Sequence, residues 1–582
     1  MIRIPTAPLA ATLLALALSA CATMPDPVAA PVTIKIVGLN DFHGNIEPLR
    51  RPLSLTEADG SSAEIYAAGA AYVASAVAEY RQGGEHSLVI AAGDLIGGSP
   101  LASSIFLDEP TIGVMNRIGL DYNAVGNHEF DRGWRELRRI QDGGCDKFTL
   151  RDPCLVENPY PGANFKFLAA NVMMPDGSPL FPAYGIRTFG EGERAVKIGV
   201  IGLTLKDTPS LVTPSGVEGL EFLDEAATIN ALIPELVAEG VDAIIVSIHQ
   251  GLTTEVGYND KSCGGVAGPL IDILKGVDPR VDLVISGHTH RAYVCDFSAI
   301  DPARDFLVTS AGYGNSMLTD ITLTVDPATD AVIARAADNI VIQSVGTDRD
   351  GNPVLPNTAY RQFPADPNVA AYVERYVAAS REASQRVVGR LPSEARDPGP
   401  PTEETALGNL IADAQLYATR DAGAQIALMN NSGIRTALIP AADGAVTFGD
   451  IYTVQPFGNT LITKSYTGAQ LLALMEQQFD DDGFVQTFSP SQGFALTWDM
   501  DRPVGSRVVG ATLDGAPIDP TATYRVTMNS FLASGGDGFT VFADGTDAVT
   551  GPLDLDAMEA YFAQDAITVL PGLGRMRDVS AD

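Results

Sequence analysis

The chain has 582 residues, too many for a single hydrophobic core, so two domains of unequal size are expected. Its formal charge of −34 repels polyphosphate chains and excludes a general nucleic-acid scaffold, leaving any such contact to a local basic or metal-bearing site. Apolar residues make up 46% of the sequence, ample for burial, yet no run in the mature part reaches membrane-spanning length.

Arg3 precedes an apolar stretch at residues 9–18 and then Leu18-Ser19-Ala20-Cys21, which reads as a secretion signal over residues 1–20. Its ending resembles the bacterial lipobox. That resemblance implies lipidation of Cys21 and a periplasmic or cell-surface lipoprotein, with Ala22 suiting outer-membrane anchoring; cleavage leaving Cys21 free is the alternative. Residues 21–31 form a tether rich in Pro and Ala. The four remaining cysteines suit an oxidising compartment, and the preferred pairings are Cys145 with Cys154 and Cys263 with Cys295. A structural zinc site is the rival, without Cys-x-x-Cys spacing to support it.

From Val32, β-branched runs alternate with helical patterns, the mark of an α/β domain. A strand is predicted over 33–39, a helix over 63–81, a strand over 87–92, a helix over 105–118 and a strand over 122–126. Further strands are predicted near 167–170, 196–202, 243–248 and 281–286, with 318–325 as the last strand of the domain. Each of several exits carries chemistry: Asn40-Asp41-Phe42-His43, Gly93-Asp94, Gly126-Asn127-His128-Glu129-Phe130-Asp131, His249, and Gly287-His288-Thr289-His290. Five of the six histidines lie in these clusters, and His86 is assigned to the surface. Strand exits in α/β folds converge on one sheet edge, so the segments can share a site.

Imidazole, carboxylate and amide oxygen together suit divalent Mn, Zn, Co or Fe. Seven candidate ligands exceed one coordination shell, so two ions are expected. The ordered series resembles the calcineurin-like metallophosphoesterases. That resemblance implies a β-sandwich flanked by helices, with Asp41, His43, Asp94 and His290 on one ion and Asp94, Asn127, His249 and His288 on the other, Asp94 bridging. It also implies that His128, oriented by Asp131, assists the reaction without being a ligand.

Residues 326–364 read as connecting structure, and 368–388 as a linker helix with Val369, Tyr372, Val373, Tyr376 and Val377 on one stripe. The expected domains are thus 32–325 and 389–582, with 326–388 between. In the second, residues 405–420 form an amphipathic helix capped by Thr402 or Thr405, and strands are expected at 425–429 and 524–528. Phe457 and Phe531 lie in polar Gly-rich loops, positioned to sandwich a flat base, with Asn459 and Asp537 at its edge or ribose and Arg435 on a phosphate.

These motifs resemble the C-terminal α+β substrate domain of the bacterial and animal 5′-nucleotidases. The resemblance adds Gly493 to the nucleoside pocket, Arg396 as a phosphate residue where some members have two arginines, and rotation about the linker as a gate. It implies a secreted enzyme that releases phosphate from nucleoside 5′-monophosphates, and from nucleotide sugars, by in-line attack of a hydroxide held by two ions; the alternating pattern offers no coiled coil or obvious interface, and a monomer is expected. Alternatives are a 2′,3′-cyclic nucleotide phosphodiesterase with 3′-nucleotidase activity, a thiosulfohydrolase on the same scaffold, and a non-catalytic nucleoside-binding lipoprotein.

Overall fold

The computed structural model describes residues 30–580 except 50–51, 57–60, 83–85, 150, 193–194, 213–215, 348–352, 396–403, 481–485 and 565–569. The expected signal, Cys21, Arg396 and Thr402 lie outside the described residues.

The N-terminal domain is a sandwich of two six-stranded sheets. The first runs in the order Ala331–Val341, Met317–Asp326, Val32–Leu39, Ser87–Ala91, Tyr122–Ala124, Lys166–Leu168. The second runs Ala292–Asp296, Leu307–Ala311, Val281–Ser286, Ala243–His249, Val196–Thr204, Tyr184–Phe189. Side chains alternate along each strand, which assigns the layers. Ile34, Ile36, Leu88 and Ile90 meet Ile198, Val200, Ile245 and Leu283 between the sheets, while Val37, Leu39 and Val89 point to a helical layer on one side. Ile201, Leu203, Val246 and Ile248 point to helices on the other. Each fully buried aliphatic side chain contributes about 1.5–3 kcal/mol.

The central strands Val32–Leu39, Ser87–Ala91 and Tyr122–Ala124 are mutually parallel, as are Val196–Thr204, Ala243–His249 and Val281–Ser286. Their carboxyl ends therefore share one edge of the sandwich.

Three expectations are corrected. The predicted helix at 63–81 begins only at Ala70; Ser62–Ile65 is instead a strand paired with Leu53–Thr56, and Gly69, at φ +96°, makes the turn between. The predicted helix at 105–118 begins only at Glu109, after a separate short helix Leu101–Ser104, because Leu107 and Asp108 adopt left-handed φ and Pro110 opens the helix that follows. Residues 326–364 are not merely connecting: Ala331–Val341 pairs antiparallel with Met317–Asp326 and widens the first sheet.

The helix Pro367–Gln385 is capped by Asp366, whose carboxylate accepts from Asn368 N and Val369 N, both at 2.9 Å. Its stripe of Val369, Tyr372, Val373 and Tyr376 is buried in the N-terminal core, and Glu157 accepts from Tyr372 at 3.0 Å and Tyr376 at 3.3 Å. The linker helix thus belongs to the first domain.

The C-terminal domain holds a five-stranded sheet, Phe488–Pro490, Ile426–Asn430, Thr523–Asn529, Thr460–Thr467, Thr546–Leu553, and a smaller four-stranded sheet. Thr405 caps the helix Ala406–Ala418 by accepting from Gly408 N at 3.0 Å. Both expected disulfides, Cys145–Cys154 and Cys263–Cys295, are present within the first domain. Among the described residues no helix is long and apolar enough to cross a membrane.

Candidate active site and metal centre

All the ligand-type residues predicted from the strand exits come together at the shared edge. Asp41, His43 and His290 form one group and Asp94, His249 and His288 a second, with the donor atoms in each within 4.8 Å of one another. Asp94 stands between them, its Oδ2 3.0 Å from His249 Nε2 and 3.5 Å from His43 Nε2. Asn127 Oδ1 lies 3.0 Å from His249 Nε2 and 3.1 Å from His288 Nδ1.

Backbone geometry aims these groups. Asp41, His43, Asp94, His288 and His290 all have φ between 45° and 72°, the left-handed region that non-glycine residues avoid. Each such residue costs on the order of 1–3 kcal/mol, and such strain persists where surrounding contacts over-determine it.

The chief constraint is Glu129. Its buried carboxylate accepts from Asp94 N and Leu95 N at 2.9 Å and Gly126 N at 2.7 Å, tying the Asp94 and Asn127 loops together. Asn40 does the same elsewhere: its amide donates to Asp41 Oδ2 at 2.6 Å and Gly312 O at 2.7 Å. Neither role is visible in sequence, although Glu129 sits inside the motif. Tyr313, also unforeseen, lies with its ring 4.7 Å from His290 and 5.6 Å from His43, in a loop that follows a strand as the ligand segments do.

The donor set fits divalent cations. His43 Nδ1 donates to Gly97 O and His249 Nδ1 to Ala92 O, each at 2.8 Å, which turns both Nε2 lone pairs inward. His43 Nε2 then faces His290 Nε2 at 3.1 Å, and His249 Nε2 faces two oxygens. Convergent lone pairs at that spacing suit cations. Burial holds His43 and His288 neutral, both lowered to about 3, as ligation needs. Burial pushes Asp41 up to about 7. Against a burial that alone would lower it, Asp94 drives His249 up to about 10, which reflects the negative charge that Asp94 concentrates at this site.

His128 sits beside the ligands. Its Nδ1 is 3.1 Å from both carboxylate oxygens of Asp131, and its backbone N–H donates to Asp94 Oδ1 at 2.9 Å. Burial opposes the imidazolium, but Asp131 and Asp94 outweigh it and raise the His128 pKa.

The second domain reaches this centre at Gly98. A Cβ there would lie 3.3 Å from His43 Nδ1 and 3.8 Å from both Arg435 Nε and Phe457 Cε1, so the three groups meet around the glycine. Phe457 stacks on His128, centroids 5.6 Å apart and planes 17° apart. The Arg435 guanidinium lies 5.8 Å from the Phe457 ring.

The other predicted pocket residues are engaged within their own domain. Asn459 Oδ1 accepts from Ser530 Oγ at 3.1 Å. Asp537 Oδ2 accepts from Asn430 Nδ2 at 2.8 Å and Ser432 Oγ at 2.5 Å. Phe531 packs over Gly536, and Gly493 O accepts from Asp514 N at 2.8 Å. His86 is half-buried, its ring 5.3 Å from Phe189.

Comparison with known proteins agrees with this geometry. Residues 34–292 match the calcineurin-like phosphoesterase family and residues 387–544 the 5′-nucleotidase C-terminal domain. An endonuclease of Bacillus subtilis, YhcR, is 31% identical over 91% of this chain, and a cell wall protein of Listeria monocytogenes, Lmo0130, 30% identical over 89%. The chain spans 39% of the first relative's length and 65% of the second's. The crystal structure of a 5′-nucleotidase precursor from Thermus thermophilus superposes with a TM-score of 0.73 at 26% identity, covering 94% of this chain and 99% of that one. The chain belongs to the two-domain 5′-nucleotidase family, a calcineurin-like phosphoesterase domain followed by a 5′-nucleotidase C-terminal domain.

Proposed function

We propose that the protein is an exported phosphohydrolase that releases phosphate from nucleoside 5′-monophosphates, with nucleotide sugars as further substrates. The observation that carries this reading is the meeting at Gly98 of a dinuclear ligand set, the His128–Asp131 pair and two C-terminal residues of phosphate-binding and base-stacking type, Arg435 and Phe457.

Asp41, His43, Asp94 and His290 would hold one divalent ion and Asp94, Asn127, His249 and His288 the other. Such a pair supplies an activated water and neutralises charge on the phosphoryl oxygens. The remaining work falls to the chain. The Arg435 fork orients the phosphate for in-line attack. Asp131 binds His128 Nδ1, so Nε2 carries the proton that passes to the departing ester oxygen as the P–O bond breaks. Phe457 and Phe531 hold the base, while Asn459, Gly493 and Asp537 line the nucleoside pocket; Arg396 is assigned to phosphate by its place in sequence alone. A charge of −34 disfavours a polymeric strand as substrate. Export rests on the signal-like residues 1–20, and a Listeria relative is named a cell wall protein; anchoring through Cys21 and a monomeric state complete the proposal.

The test strips the mature protein with chelator, restores Mn, Co, Zn or Fe, and measures phosphate and nucleoside released from 5′-AMP, UDP-glucose, 2′,3′-cyclic AMP and 3′-AMP. Ion-dependent release from 5′-AMP is expected. Preference for either of the last two substrates would replace the 5′-nucleotidase reading with the 2′,3′-cyclic nucleotide phosphodiesterase with 3′-nucleotidase activity, and no release under any ion would favour a binding protein.

A further inference from the structure

A second line of contact runs from the C-terminal domain to the catalytic pair, and no step of the reaction above uses it. The backbone of Arg132 adjoins Asp131. The Arg132 guanidinium pairs with Asp108, which is wholly buried, at 2.5 Å, and donates to Ser104 Oγ at 2.7 Å. Asp108 accepts in turn from Ser103 Oγ at 2.7 Å and Gly97 N at 3.3 Å.

Gly97 lies directly under the pair: a Cβ on it would come within 2.3 Å of His128 O and 2.7 Å of Asp131 Oδ2. Its neighbour Gly98 donates its N–H to Asp131 Oδ2 at 3.1 Å. Asp108, Arg132 and Ser104 therefore form a brace beneath His128 and Asp131.

The brace is completed from the other domain. Tyr452, 2% exposed, places its hydroxyl 2.5 Å from Ser104 Oγ. It sits on the helix Phe448–Val454, just before the turn that delivers Phe457 to His128. Arg151, from the loop closed by Cys145–Cys154, covers its ring at 5.6 Å, and Leu101 packs with it in one apolar cluster.

We propose that Tyr452 is a positioning residue: its hydroxyl closes the Ser104–Arg132–Asp108 brace, so that the His128–Asp131 pair is held in place only when the C-terminal domain is docked as here. Undocking removes the Tyr452 hydroxyl and exposes Ser104 and Arg132 to water, which relaxes Gly97 and with it the catalytic pair. This inference rests on the proposed phosphohydrolase reading for its kinetic arm alone.

The test is a double-mutant cycle on the full mature chain, Tyr452→Phe, Ser104→Ala and both together, with turnover measured on the best ester found above. Each single change is expected to lower kcat by roughly three- to tenfold, the worth of one hydrogen bond, with KM little altered. The double variant should be no worse than Ser104→Ala alone, because that change already removes the Tyr452 contact together with the one from Arg132.

In parallel, spin labels at Thr188→Cys and Ala442→Cys, both exposed positions on different domains, report the inter-domain distance with and without 5′-AMP. Tyr452→Phe should broaden or lengthen that distribution, a readout that needs no turnover. Unchanged kcat, strictly additive losses, or an unchanged distance distribution would overturn the proposal. If the parent protein hydrolyses none of the esters, the reaction assignment fails while the distance measurement still decides the fate of the brace.

Discussion

Each polar group at the edge of the sandwich has a distinct job that single substitutions can separate. His128 is outside both ligand clusters, so His128→Ala should lower kcat by on the order of 10²–10⁴-fold while ion content, measured by elemental analysis, stays unchanged. Glu129→Ala should do the reverse in kind. Losing the acceptor of three loop N–H groups should cost about 3 kcal/mol in thermal unfolding and reduce ion retention. The pH response follows from the sign of the His128 shift. Burial would lower its pKa, but Asp131 and Asp94 raise it, so the imidazolium persists to higher pH than in a free histidine and is lost as pH rises through the raised pKa. Turnover that needs a protonated His128 should therefore fall on the alkaline side, and Asp131→Asn should move that fall to lower pH in a kcat–pH profile. The ligand-type residues were legible in the sequence because each is a polar residue following a β-rich run. The supports were not: Glu129 reaches Asp94 N and Leu95 N, and Asn40 reaches Gly312 O, across loops brought close only by the fold, and nothing local to either residue reveals those distant partners.

Among elements, the parallel core strands could be read directly, since a run such as Ala243–His249 is apolar on both faces, as a strand buried between a sheet and a helical layer must be. The misread elements have weaker local signals. Ser62–Ile65 is followed by an alanine-rich stretch that suits a helix, and that longer helical signal overrode the Asp59-Gly60 hairpin dipeptide that stands in the sequence between it and its partner Leu53–Thr56. Ala331–Val341 is an edge strand with seven of its eleven residues polar or alanine, so its alternation is faint, and only pairing with Met317–Asp326 defines it. The helix Pro367–Gln385 offers a clean test of element stability. Asp366→Ala removes the acceptor for two first-turn N–H groups and should lower the unfolding free energy by about 1 kcal/mol, seen as a shift of the denaturant midpoint without a change of slope.

For the whole molecule, both ligand clusters and both disulfides belong to the N-terminal domain, whereas the second domain contributes Arg435 and Phe457 from outside. Ions should therefore stabilise one domain selectively. At an ion concentration of 100 times Kd, each bound ion adds about 2.7 kcal/mol. Calorimetry with and without chelator should show one transition moving and one staying in place. The burial of Tyr372 and Tyr376 in the first domain has a practical corollary for dissecting the protein. A truncation at the end of the last strand of the sandwich would strip the helix from its bed and leave Val369, Tyr372 and Tyr376's apolar seat open to water, inviting precipitation. A cut at Arg386, in the bend between helix Pro367–Gln385 and strand Val387–Arg390, would leave that seat filled. Of the two fragments, the longer is the one expected to remain soluble as a free-standing metal-binding module.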